Sequence, residues 1–275
     1  MTRILLTNDD GIHSDGLIKL EEALREVGDV YVVAPASEMS GASHSLTLSR
    51  PLRIRQIDER HWTVDGTPTD CVTLALHAIL PPELRPDVCA SGINHGGNLG
   101  DDASYSGTVA GALEATILGV PGVAFSLVSS PEEYDFTHAA RFAITAVRKV
   151  LAEGLPEGTL LNINFPAGPL RGARTGTLGV KNATPVITKH TDPRGKAYYW
   201  IGQQILQDEN AEGTDFYAVR QGYASVTPLR SDMTNHAALA SFGGWDALEA
   251  DGDDDDARPV GEEVGVGDSQ TLEHV

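Results

Sequence analysis

The sequence has only two cysteines, Cys71 and Cys89, and they form neither a Cys-x-x-Cys pair nor part of a zinc ligand set. Both lie among apolar neighbours and read as small buried residues. A disulfide framework is thereby excluded, and a reducing, cytoplasmic compartment is the simplest expectation. Long hydrophobic runs are missing as well. The longest, such as Val120 to Val128, fall far short of the roughly 18 residues that cross a bilayer, so no membrane span is expected. The N-terminal run Met1-Thr-Arg-Ile-Leu-Leu reaches Asn8-Asp9-Asp10 without a signal peptide's apolar core or small-residue cleavage site, which argues against export.

Basic charge is scarce: 20 Lys and Arg stand against 39 Asp and Glu, a net charge of −19. Residues 246–275 hold eleven acidic residues and one arginine, Arg258, so this tail carries −10 and the first 245 residues carry −9. An extended nucleic-acid partner is disfavoured, because its phosphates repel a surface of that sign. A small phosphorylated ligand remains open, because a metal ion inverts the local field. The tail reads as a solvated, mobile end. Its Asp251 to Asp256 run lacks the alternating ligands and closing glutamate of an EF-hand loop.

Three nucleotide and phosphate motifs are absent. No G-x-x-x-x-G-K-[ST] occurs, which argues against a P-loop, and no G-x-G-x-x-G links the first strand to its helix. The aspartyl-phosphate class needs Asp-x-Asp after its first strand. Here that spacing pairs Asn8 with Asp10 or Asp9 with Gly11, so covalent phospho-aspartate chemistry is set aside in favour of metal-assisted hydrolysis.

What is present is β/α alternation in a chain of globular length, with 41% hydrophobic residues. Arg3 to Thr7 is a short strand, Leu17 to Val27 has helical spacing, and Val30 to Ala34 is an apolar strand stopped by Pro35. This β-loop-α-β order imposes a parallel sheet with a right-handed crossover. Arg50 to Val64 reads as a hairpin excursion and Thr69 to Leu80 as a helix. The strand Pro86 to Ser91 follows, then the helix Ser106 to Leu118, the strand Val123 to Leu127, the helix Thr137 to Leu151 and the strand Leu160 to Phe165. Beyond about residue 165 the alternation ends, and Gly172 to Val186, Ala197 to Ile205 and Tyr217 to Val226 read as strands with turns. They suggest a β-rich extension used for assembly. The expected fold is a Rossmann-like three-layer α/β core spanning about 1–170, with a β-rich arm and return over 171–245 in the same domain.

Ligands in an open parallel sheet bind at the carboxyl ends of strands. Three polar loops fall there: Asn8-Asp9-Asp10-Gly11, Ser37-Glu-Met-Ser40-Gly41, and Ser91-Gly-Ile-Asn94-His-Gly-Gly-Asn98. Adjacent Asp9 and Asp10 raise each other's cost of ionisation, and a divalent cation removes that conflict. Oxygen donors from Asp, Asn and Ser suit Mg²⁺, Mn²⁺ or Ca²⁺. The tetrapeptide at 8–11 is equally a plain turn by residue type. Ser106-Gly107-Thr108 opens a helix, either as an anion site for a phosphate or simply as an N-cap.

Together these segments resemble the SurE family, the stationary-phase survival proteins that act as metal-dependent nucleotidases. The resemblance rests on Ile4-Leu-Leu-Thr-Asn-Asp-Asp-Gly11, Val33-Ala-Pro35 with Ser40 to Thr47, Asp65 to Val72, Ser91 to Asp102, Tyr105 to Ala112, Leu161-Asn-Ile-Asn-Phe-Pro166, Thr214-Asp215 and Gly222 to Leu229. It implies a β-arm that builds dimers or tetramers. It implies hydrolysis of nucleoside 5′- and 3′-monophosphates, with short polyphosphate as a further substrate. Carried onto this chain, the metal ligands for one Mg²⁺ or Mn²⁺ are Asp9, Asp10, Ser40 and Asn94. Ser106, Gly107 and Thr108 hold the phosphate with Asn98 close by, and Asp9 or Asp10 accepts the proton of the attacking water. Many relatives carry Arg or Asn before the serine loop, where this chain has Ala36-Ser-Glu-Met39, a departure that bears on substrate preference. The acidic tail lies outside the family pattern.

His44 and His95 are further candidates for an acid, and Asp101 and Asp102 for shaping the approach to the Ser106 helix. Two other readings fit the same pocket or arm: a nucleotide-sensing module without catalysis, and a structural oligomer whose arm and tail make protein contacts. A sensor has no need of a hard-cation site, and a structural oligomer is indifferent to a chelator.

Overall fold

The computed structural model describes residues 1–128, 134–180, 183–205 and 211–247. Most of the acidic tail, beyond residue 247, lies outside the described residues. The chain forms two compact units, Met1–Asp232 and a second that starts at Met233. In the second unit, Leu239–Ala247 is a run of 3-10 turns.

The first unit opens with β1 (Arg3–Thr7), α1 (Asp15–Leu24) and β2 (Asp29–Pro35), followed by β3 (Ile54–Gln56) and β4 (His61–Val64). Next come α2 (Pro68–Leu74), β5 (Val88–His95), α3 (Gly107–Ile117), β6 (Gly122–Val128), α4 (Thr137–Glu153) and β7 (Thr159–Pro166). The remainder is β8 (Ala173–Thr175), β9 (Ala183–Thr191), β10 (Ala197–Ile205), α5 (Asp215–Arg220) and β11 (Ala224–Arg230). Nine strands form one sheet in the order β3-β4-β2-β1-β5-β6-β7-β11-β8. The pairs from β4 to β7 are parallel, β3 lies antiparallel to β4, and β11 lies antiparallel to β7. The antiparallel pair β9-β10 stands as a separate hairpin.

Strand alternation builds the layers. In β1, Ile4 and Leu6 join a core with Leu17, Leu20 and Leu24 of α1 and Ala139, Ala143 and Val147 of α4. Leu5, between them, points to the other face and packs with Cys71 and Val72 of α2 and Ala115 of α3. Each fully buried leucine or isoleucine contributes roughly 1.5–3 kcal/mol by leaving water. Both cysteines are buried and free. The result is the three-layer α/β core that the alternation predicts.

Local chemistry sets the helix starts. Ser14 caps α1 by accepting the Leu17 N–H. Thr67 and Asp70 form a reciprocal capping box on α2, with Pro68 in the first turn. The helix expected over Thr69 to Leu80 is α2 continued by a wider π-type turn at Ala75–Ile79. The expected strand Tyr217 to Val226 divides differently. Thr214 accepts the Tyr217 N–H, so a short helix, α5, precedes β11. A threonine cap followed by an aspartate outweighs the β-propensity of Phe216, Tyr217 and Val219.

Candidate active site

Strand β1 lies between β2 and β5, so the crossovers leave it in opposite directions and a crevice opens at its carboxyl end. Asp9 and Asp10 follow β1, Ser40 follows β2, and Asn94 ends β5. A shallow cleft of about 220 Å³ lies there, lined by Asp9, Ser40, Asn94, Asn98 and Ser106 together with His95, Asp102 and Tyr105. Residues almost a hundred positions apart in sequence thus share one cleft. The other three expected site residues are not on its lining but touch residues that are: Gly107 and Thr108 contact Asp9, and Asp10 contacts His95.

Asp9 is 5% exposed and makes no ion pair among the described residues. The Thr108 hydroxyl donates to its Oδ1. The backbone of Gly107 packs on the same carboxylate: a Cβ there would lie 2.7 Å from Asp9 Cβ and 2.9 Å from Oδ2, so only glycine admits this approach. Burial, and to a lesser degree the neighbouring charge of Asp10, push the Asp9 carboxyl up to about 6, against the opposing pull of the Thr108 hydrogen bond. Beside it, the Asn8 amide donates to the Gly11 carbonyl (3.0 Å) and the Ser14 hydroxyl (2.7 Å), and its buried Oδ1 has no partner.

Asp10 Oδ2 accepts from the His95 backbone N–H (3.2 Å) and lies 3.0 Å from His95 Nδ1. That hydrogen bond raises the His95 pKa above its ordinary value, and burial works against it. The ring of His95 packs edge-on against Tyr134 and Phe136 at 4.8 and 4.9 Å. The Asn94 amide nitrogen donates to the Gly96 carbonyl (2.8 Å), which leaves its oxygen as the donor available to a cation. The Ser40 hydroxyl donates to Glu38 (2.7 Å). The other candidate histidine, His44, pairs with Glu114 of α3 at 2.8 Å and ties the serine loop to that helix. Its contact lowers the Glu114 pKa.

The donors around the cleft fit a hard dication. Asp9, Asp10, Ser40 and Asn94 present oxygen donors, and among the described residues no group of three His, Cys, Asp or Glu is placed to hold a metal ion, so a cation here would lean on the Ser40 and Asn94 oxygens beside the two carboxylates. Asp9, buried with a raised pKa and without a Lys or Arg partner, beside a second carboxylate whose own partner is His95, is an electrostatic setting that a divalent ion relieves.

Ser106 caps α3, accepting the Val109 N–H at 3.0 Å. Its side chain therefore plays the cap; Ser106 lines the cleft, and the next two residues of the α3 start pack on Asp9. Asn98 is held from four directions. Its N–H donates to Asn164 Oδ1 (2.7 Å) and its amide to Ser126 (2.7 Å), while its carbonyl accepts from Asn162 (2.8 Å) and Asn164 (3.2 Å). Farther along the loop, Asp215 accepts from Gly100 N–H and Gly179 N–H, both at 2.8 Å. Sequence reasoning gave none of Ser126, Asn162, Asn164 or Asp215 a role. A signal existed: two asparagines alternate on one face of a strand whose neighbours are apolar, where a buried polar group needs a reason.

A family model described as Survival protein SurE matches residues 4–190. The chain belongs to the SurE family. It is 49% identical over 250 residues to a protein named 5′-nucleotidase SurE from Geobacter metallireducens, covering 90% of this chain and 98% of that one. A Geotalea uraniireducens protein of the same name is 47% identical over 247 residues, covering 89% and 99%. The crystal structure of the SurE protein from Aquifex aeolicus superposes with a TM-score of 0.79 at 45% identity, covering 89% of this chain and 99% of that one. SurE-family membership thus extends over the whole α/β core.

Proposed function

We propose that this SurE-family chain, a phosphoric monoester hydrolase, hydrolyses nucleoside 5′- and 3′-monophosphates to nucleoside and phosphate in the cleft at Asp9, with short polyphosphate as a further substrate. One observation carries the reading: a deeply buried aspartate without a cationic partner abuts the first turn of α3. Asp9, Asp10, Ser40 and Asn94 would hold one Mg²⁺ or Mn²⁺. Such an ion, when bound, offsets charge on the phosphoryl oxygens and acidifies a water.

The chain's own groups supply the rest. Backbone N–H groups at Gly107 and Thr108 present the helix dipole to the phosphate and fix its orientation. Asn98 gives one amide proton to Ser126 and has a second for a phosphate oxygen, and its clamp of asparagines sets that position before substrate arrives. Asp9 or Asp10 takes the proton of the attacking water.

Assembly as a dimer or tetramer belongs to the same proposal. The β9-β10 hairpin exposes Ile187, Tyr199, Trp200 and Ile201, each more than half exposed. A cytoplasmic location is supported by the two buried free thiols. Among the described residues no helix is long and apolar enough to cross a membrane.

The test is phosphate release from a panel of nucleoside monophosphates with Mg²⁺ or Mn²⁺, repeated in EDTA. Turnover is expected with metal and lost with chelator, and Asp10→Asn is expected to abolish it in a folded protein. Wild-type rates in both Asp9→Asn and Asp10→Asn would remove the assignment.

A further inference from the structure

A cleft of about 440 Å³ lies at the base of the arm, lined by residues that take no part in the Asp9 site. Arg171, Arg174, Tyr217 and Tyr223 are on its wall. The guanidiniums of Arg171 and Arg174 lie 4.9 and 4.5 Å from the centroid of one ring, Tyr223. Two like charges gathered on one ring repel each other, and the ring quadrupole returns only part of that cost. Neither arginine makes an ion pair among the described residues. Glu212 also lines the cleft, and no ion pair joins it to either of them. In a chain with net charge −19, two arginines thus share one cleft with a single carboxylate, Glu212.

Arg171 is exposed, and two hydrogen bonds tie it to the neighbouring turn. Its N–H donates to the Gly222 carbonyl at 2.9 Å, and its guanidinium donates to the Gln221 carbonyl at 3.1 Å. Its stem lies across Gly222, which has φ +80° and where a Cβ would come within 3.1 Å of Arg171 Cδ. Glycine at 222 therefore serves both the turn and the arginine. A guanidinium fork held in advance loses little freedom on binding and matches the oxygen spacing of a phosphate. Arg174, on β8, brings the second fork to the same ring.

We propose that this cleft is a second site, independent of metal, for a small phosphate-bearing anion held by Arg171 and Arg174. The ligand class follows from the donors: two planar guanidinium forks suit a tetrahedral dianion.

The test is isothermal titration of the full chain with inorganic phosphate in EDTA, where the Asp9 cleft has no cation. One phosphate per chain is expected to bind. Arg174→Gln should weaken it about tenfold or more, the scale of one charge-assisted hydrogen bond. Arg174→Lys, which keeps the charge and loses the fork, should fall between. Asp9→Asn should leave this binding in place. Melting curves of the arginine variants check the fold, and Arg171→Gln provides a second variant. No binding by the wild type, or equal binding in both arginine variants, overturns the site. So does loss of binding in Asp9→Asn, which would put the phosphate in the other cleft. A fall in oligomer size in the arginine variants with phosphate binding unchanged would assign the arginines to a second copy's carboxylates instead. Because binding is read without metal or turnover, failure of the hydrolytic reading leaves this result unaffected.

Discussion

Thr108 donates its hydroxyl to the carboxylate of Asp9 across 99 positions of sequence. The contact joins the end of β1 to the first turn of α3. It is the main influence holding the Asp9 pKa down against burial. Thr108→Val keeps the side-chain shape and removes the donor, so the Asp9 carboxyl should protonate at higher pH. With Mg²⁺ limiting, the acid limb of the rate–pH profile should move upward. An unchanged limb would show that Thr108 does not set the ionisation of Asp9.

Asp9→Asn should separate stability from activity. Folded Asp9 binds its proton with a pKa of about 6, against an ordinary value of 3.8. Between those values the folded state holds more protons than the unfolded chain, so this group's contribution to stability falls as pH rises. Above pH 6 the full penalty applies, on the order of 3 kcal/mol for a group this buried. The asparagine variant can still accept from Thr108 and carries no charge. In EDTA at pH 7 it should therefore melt higher than the wild type, with the difference closing below about pH 4. Its hydrolysis should be lost, and added Mg²⁺ should no longer raise its melting temperature. Equal melting temperatures at pH 7 would show that Asp9 carries no burial penalty.

Gly107→Ala tests the close approach of α3 to Asp9. A methyl group 2.7 Å from Asp9 Cβ forces the carboxylate or the helix start to move. Displacement of about 1 Å in such a site costs on the order of a hundredfold in rate. Turnover should fall by about that factor, chiefly in kcat, although alanine favours helix over glycine by about 1 kcal/mol. Wild-type turnover would mean that Asp9 need not sit where it does.

Asp215→Asn addresses the tie between the arm base and the catalytic loop. The carboxylate accepts three backbone N–H groups, from Gly100, Gly179 and Phe216. An amide has one accepting oxygen and turns a donor toward a buried N–H, a cost of about 1–3 kcal/mol. Chemical denaturation should show that loss. Kinetics should show a higher KM, because Asn98 lies two residues from Gly100. Loss of stability with KM unchanged would confine Asp215 to a scaffold role.

The sequence by itself determined the alternating α/β order, because apolar periodicity and a strand stop such as Pro35 are local properties. It also determined that polar loops after β1, β2 and β5 would share an edge, since parallel strands end on the same side. The oxygen-only donor types at Asp9, Asp10, Ser40 and Asn94 were legible in the same way. The tertiary structure alone decided the rest. The rise of the Asp9 pKa needs burial, which residue types at 8–11 do not encode. The Asn98 clamp needs β6 and β7 to lie side by side in register, so that Ser126 stands opposite Asn164. The short helix α5 was hidden because its cap, Thr214, is a single residue set against a run of β-formers. Arg171 and Arg174 carry no motif in the sequence; only the fold brings both guanidiniums onto the ring of Tyr223, some fifty positions away. Electrostatic energies depend on distance in space, and the chain expresses that distance only once it has folded.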